Sequence, residues 1–203
     1  VPPACVSTAF VLLRGVIAGV LGCPTGAVKA GDGDCVSSLM QPSYLKDGYP
    51  SGKFSVSLGK KNGTACVIDL SEDDQELILD AIEKAVNEIL QGEGKTVDLV
   101  EVSSREEAIE RFGHVILDQS QLKAKKKAPK NGTSMKLAYV KDLILAVPPG
   151  PVFSNTKEFQ NSRIELERTN DKTKTGVSTV TANKKKCELV IKFRVVGKDI
   201  NDQ

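Results

Sequence analysis

The chain has 203 residues, 40% of them hydrophobic, with 28 Lys and Arg against 26 Asp and Glu and a formal net charge of +2. That is enough apolar material for one full core, and the near-balanced charge excludes a global field toward nucleic acid or acidic surfaces, so any such preference must come from local clusters. Cys5, Cys23, Cys35, Cys66 and Cys187 are odd in number and contain no C-x-x-C pair, which excludes a disulfide framework and points to a reducing, cytoplasmic compartment.

Residues 6–22 form the most apolar stretch. Arg14 interrupts it, it falls short of the roughly 20 residues that a spanning helix needs, and no basic segment precedes it, so the reading is a buried core helix and no membrane association. Ser7 or Thr8 is expected to cap this helix; Val11, Leu12, Val16, Ile17, Val20 and Leu21 recur at helical spacing, and Gly22 closes it. From 24 to 52 the glycines and prolines predict loop. Asp32 and Asp34 are turn residues there, because the residues after them lack the oxygen ligands of a calcium loop. Residues 54–58 and 64–70 alternate as strands around Asn62-Gly63, the strongest short hairpin signal, whose overlap with a glycosylation sequon is incidental.

Ser71 and the acids after it open a long helix with Leu77, Ile78, Ala81, Ile82, Ala85, Val86, Ile89 and Leu90 on one face, ended by Gly92 and Gly94. A strand over 97–102 follows. Ser104 and Glu107 then predict a capping box for a short helix running to Phe112, with Gly113 after it. Residues 119–134 form a basic insertion loop carrying Lys125, Lys126, Lys127 and Lys130. Strands are expected over 135–140, 143–147, 163–167, 177–180 and 188–196, the last central. Between the second and third of these lies the turn Pro148-Pro149-Gly150-Pro151, whose prolines fix their own φ and extend the residues before them. Asn155 and Thr156 start the next segment. The sum is a single α+β domain spanning 1–203, an antiparallel sheet packed with a few helices.

In order and spacing these elements resemble the editing domain shared by alanyl- and threonyl-tRNA synthetases and free-standing alanyl-tRNA deacylases. Ser7-Thr8-Ala9-Phe10-Val11-Leu12-Leu13 with Gly22 is similar to that family's first helix. Ala85-Val86-Asn87-Glu88-Ile89, and Ser103-Ser104-Arg105-Glu106-Glu107-Ala108 with Phe112-Gly113, match its middle section. Pro148-Pro149-Gly150-Pro151-Val152-Phe153-Ser154-Asn155-Thr156 looks like its Cys-Gly-Gly-Thr-His loop with the trailing Asn-Thr. The resemblance covers residues 6–196 and implies editing of mischarged tRNA at a zinc site. Its four ligand positions fall on Ser7, Val11, Pro148 and Val152, where no histidine or cysteine stands. A catalytic zinc needs about three protein ligands and an open position, so no cofactor is expected. His114 lies in another segment and reads as an ordinary structural residue.

Three functions follow as expectations. The first is a tRNA-related binding or scaffolding module that uses Lys125, Lys126, Lys127 and Lys130 on RNA phosphates, with tRNA, a synthetase or another protein as partner. The second is a metal-independent hydrolase of mischarged aminoacyl-tRNA, with Thr8 or Ser154 holding the water. The third is a structural subunit of a larger complex. No nucleotide-binding loop or dinucleotide fingerprint is present, which leaves a nucleotide-dependent enzyme without support.

Overall fold

A computed structural model describes residues 3–22, 28–30, 50–57, 72–113, 134–167 and 188–197. The elements in chain order are α1 (Ala4–Leu21), β1 (Val28–Ala30), β2 (Ser51–Ser57), α2 (Glu72–Gln91), β3 (Val97–Val102), α3 (Arg105–Phe112), β4 (Met135–Val140), β5 (Ile144–Ala146), a 3-10 turn (Thr156–Phe159), β6 (Arg163–Leu166) and β7 (Glu188–Val196). The class is α+β, as expected. Instead of a single sheet, the described strands form two antiparallel ones, ordered β1-β2-β7-β6 and β3-β4-β5. β7 lies inside the larger sheet between β2 and β6, which agrees with its apolar character.

Helix α1 is the centre of the molecule. All thirteen residues from Val6 to Ala18 are buried, Arg14 among them, and the helix packs against α2, β1, β2, β5 and β7, so it touches both sheets. A helix that is apolar all round belongs inside a fold. By length and composition it could also cross a membrane, and 72% of its apolar window is buried within this chain. It begins at Ala4, four or five residues earlier than a cap at Ser7 or Thr8 implies. Pro3 occupies the cap position without any side-chain bond, and Ser7 and Thr8 are fully buried in the first turns instead of capping them. At the other end Gly22 adopts φ 62° and its N–H donates to the Ala18 carbonyl, a left-handed stop that glycine enters without steric cost.

Between α1 and the larger sheet, Phe10 meets Phe54 and Phe193 with ring centroids 4.8 and 4.9 Å away. Offset and edge-to-face contacts of this kind contribute about 0.5–1.5 kcal/mol beyond area burial. Gly52 lies in the same place: a Cβ there would stand 2.6 Å from Phe10 and 2.8 Å from Phe193.

Helix α2 buries Leu79, Ile82, Val86 and Leu90, while Leu77, expected on the buried face, is 66% exposed and Ala81 is exposed too. The apolar positions of α2 form a stripe wider than the contact, and packing against α1 and β6 chose its far edge. That contact also closes the free edge of β6. Asn87 accepts from the Ile164 N–H through Oδ1 (2.9 Å) and donates from Nδ2 to the Ile164 carbonyl (2.7 Å), while Glu83 Oε2 accepts from the Leu166 N–H (2.7 Å). The two helical side chains thus stand in for a neighbouring strand, which leaves an edge that another chain cannot easily extend.

In the smaller sheet, the register pairs Val97 with Val140 and Val102 with Met135. One face, with Val102, Met135, Leu137 and Leu145, is covered by Ala108, Ile109 and Phe112 of α3 in a second, smaller core. The other face, with Val97, Ala138, Val140, Ile144 and Ala146, joins the main core around α1. Helix α3 runs to Phe112 with Gly113 after it, as expected, but its cap differs in one arm. Ser104 Oγ accepts from the Glu107 N–H (3.1 Å), whereas the Glu107 carboxylate returns to Ser103, accepting from its N–H (2.7 Å) and its hydroxyl (2.6 Å).

Other boundaries move. Residues 28–30 and 51–52, expected as loop, are strand because they pair with β2 and β7. Leu143, Val147 and Glu167 fall outside their strands. The proposed hairpin at Asn62-Gly63, the strand over 177–180, Ser71, His114, and the insertion with Lys125, Lys126, Lys127 and Lys130 lie outside the described residues.

Candidate functional site

The proline turn after β5 brings residues 152–159 back between α1 and the start of β3. Val152 and Phe153 pack against the main core that contains Val11, and Phe153 meets Phe159 edge-on with centroids 5.1 Å apart. The direct link to α1 is polar. Thr8 Oγ1 donates to the Ala4 carbonyl (2.7 Å) and accepts from the Phe153 N–H (2.8 Å), across 145 residues of sequence.

Beyond Phe153 the chain runs antiparallel to the residues before β3. Val97 N–H donates to the Ser154 carbonyl (2.9 Å), Thr156 N–H to the Lys95 carbonyl (2.9 Å), and Lys95 N–H to Thr156 Oγ1 (2.8 Å), with an isolated bridge between Thr96 and Asn155. Asn155 caps the 3-10 turn. Its Oδ1 accepts from the Lys157 N–H (2.9 Å), and Glu158 Oε1 reaches back to the N–H groups of Ser154 (2.7 Å) and Asn155 (3.1 Å) and to the Ser154 hydroxyl (2.7 Å). These bonds, led by the one from the Ser154 side chain, hold the Glu158 carboxyl below the ordinary glutamate range. Gly94 makes the close approach possible. It sits at φ 91°, and a Cβ there would meet Asn155 Oδ1 at 2.7 Å, so glycine serves both the conformation and the space. From the sequence, Gly94 reads only as a helix stop. The staple between 94–97 and 154–156 had no local signal.

The sequence candidates are distributed as follows. Ser7, Thr8 and Val11 are buried in α1, Pro148 and Val152 are half-buried in the turn, and Ser154 is exposed. Thr8 and the loop carrying Val152 are brought together; the Ser154 hydroxyl donates to Glu158. Ser7 Oγ is fully buried without a hydrogen-bond partner among the described residues. The donor chemistry does not fit zinc: Val11, Pro148 and Val152 supply no ligand side chain, and Thr8 has committed its proton and one lone pair. Among the described residues no three or more His, Cys, Asp or Glu side chains gather into a metal-binding group. Cys5, half-buried one turn before Ala9, has its thiol pKa raised by burial, which disfavours the thiolate.

Together, fold and site define an α+β domain whose central helix is pinned to a proline turn through a buried hydroxyl. Compared with models of known families and with curated proteins, the chain matches none.

Proposed function

We propose that this chain is an aminoacyl-tRNA editing-like domain without the catalytic zinc, acting as a tRNA-related binding or scaffolding module. One observation supports the reading above the others. The Phe153 N–H donates to Thr8 Oγ1 at 2.8 Å, so the two segments that resemble the family's metal-bearing helix and loop meet through a hydroxyl. A preserved meeting of helix and loop, with apolar residues at the ligand positions, suits a surface that has kept its shape and not its chemistry. Hydrolysis through Thr8 or Ser154 has weaker support. The Thr8 proton is held by the Ala4 carbonyl at a position with no exposed surface, and the Ser154 hydroxyl is engaged in the cap of a 3-10 turn.

The test is to titrate the full chain into fluorescein-labelled tRNA and, separately, to incubate it with seryl- and glycyl-tRNA. Binding without loss of the aminoacyl ester is the expected result. Ester hydrolysis above the uncatalysed rate would replace this reading by the hydrolase, and absence of tRNA binding would remove it.

A further inference from the structure

We infer that the open edge of β3, at Leu99, is a docking site for an extended segment of a partner protein, which joins the smaller sheet as a further strand through its main chain. Strand pairing and burial carry the inference, independently of the tRNA reading.

β3 stands at one end of the order β3-β4-β5, so one of its edges has no neighbouring strand among the described residues. The main-chain groups of successive residues in a strand point to opposite sides. Val97 N–H donates away from β4, to the Ser154 carbonyl, so Leu99 and Glu101, two and four residues on, direct their N–H and C=O groups to the same open side. The chain closes both ends of this edge itself. At one end residues 154–156 run antiparallel to 95–97. At the other, Arg111 Nη1 donates to the Glu101 carbonyl (2.8 Å), and Glu107 accepts from the Ser103 N–H (2.7 Å). Between these closures the Leu99 N–H, the Leu99 carbonyl and the Glu101 N–H have no partner among the described residues. The edge of β6 differs, because Asn87 and Glu83 of α2 take its groups.

A gap of unpaired main-chain donors and acceptors is filled by extended main chain, and residues 154–156 already add to this same edge in that way. Side chains set the rest of the occupant's chemistry. Leu99 is 62% exposed, although its face of the sheet enters the main core through Val97 and Ala138, so an apolar residue placed opposite it buries both. Asp98, on the other face with Val100, is exposed and forms no ion pair among the described residues, whereas Glu101 pairs with Lys136 at 3.7 Å. The occupant is therefore an antiparallel segment in which an apolar residue, opposite Leu99, is followed by a lysine or arginine beside Asp98. A second copy of β3 does not fit: pairing about Leu99 would set the copy's Glu101 opposite Val97, where Ser154 lies.

The experiment titrates the full 15N-labelled chain with the peptide acetyl-Lys-Val-Lys-Val-Lys-amide and with the same peptide N-methylated on its second valine. The amide signals of Leu99 and Glu101 should shift together with a dissociation constant in the millimolar range and exchange more slowly with solvent, while those of Val97 and Ser103, already bonded, change little. N-methylation removes a main-chain bond to Leu99 and should weaken binding on the order of 10-fold. Asp98→Asn should weaken it by about 2–5-fold at low salt, the size of an exposed ion pair. Leu99→Lys, at an exposed position, should abolish binding and keep the parent's thermal midpoint. No shift at Leu99 and Glu101 at about 10 mM peptide would overturn the inference, as would equal binding of the N-methylated peptide, which would reduce the contact to charge. A concentration-dependent dimer of the free chain with a slowly exchanging Leu99 amide would also overturn it, in favour of a second copy.

Discussion

Replacing Thr8 by Val tests the hydrogen bond that joins the central helix to the proline turn. The two side chains are nearly isosteric, so no cavity opens, but the Phe153 N–H loses its acceptor and Ala4 loses a second donor. The Ala4 carbonyl still accepts from the helix backbone four residues on. The unsatisfied group is thus the single N–H, at a site already closed to water around Thr8, which has no exposed surface. Leaving such a donor unpaired costs about 1–3 kcal/mol, and because the bond itself is only partly buried the lower half of that range applies, about 1–2 kcal/mol. The added methyl offsets a part of it. Urea unfolding should show a lower midpoint with unchanged slope, and hydrogen exchange at the Phe153 amide should accelerate by about 5–30-fold, the factor that corresponds to this energy. Thr8→Ser keeps the hydroxyl and should keep the Phe153 protection even where the lost methyl lowers global stability. Equal Phe153 exchange in the parent and in Thr8→Val would refute the tether and, with it, the observation on which the functional reading leans most.

Asn87→Leu removes the stand-in strand from the edge of β6, stranding the Ile164 N–H and carbonyl, and should destabilise by about 2–4 kcal/mol in denaturant unfolding, far more than an exposed helical substitution. Gly52→Ala places a Cβ 2.6 Å from the Phe10 ring and should cost about 1–3 kcal/mol, with near-ultraviolet dichroism reporting the displaced phenylalanines; an unchanged midpoint would mean the aromatic cluster yields freely. The Ser103 side chain, then the Ser103 N–H and Arg111, hold the Glu107 carboxyl down to about 2 from 4.5. Since the folded value lies below the unfolded one, the contribution of this cap is present above pH 4.5 and is lost as pH falls toward 2, so NMR titration should find the Glu107 carboxyl ionised well below the ordinary range, and Glu107→Gln should remove that local pH dependence.

Much of the fold was legible because its causes are local. Helix α3 carries its own cap at Ser104 and its own stop at Gly113, so its limits follow from neighbours in sequence. The strands at 135–140 and 188–196 are apolar enough to announce themselves, and Gly22 ends α1 by a conformation that few other residues accept. The start of α1 was not legible, because Ser7 and Thr8 look like caps and were claimed by the core. Likewise the buried face of α2 depends on where α1 and β6 lie, which its own periodicity does not contain.

The sequence by itself determined the class and most of the elements. Only the tertiary structure decided how they combine. Pairing between strands is set by which faces find a partner, and it divided the described strands into sheets of four and three with α1 touching both. The same holds for the candidate site. Thr8 and Phe153 are joined across 145 residues, and Gly94 reads as a helix stop until the fold sets Asn155 against it. A hydrogen bond or a close approach acts over a few ångströms of space, and distance along the chain does not report it.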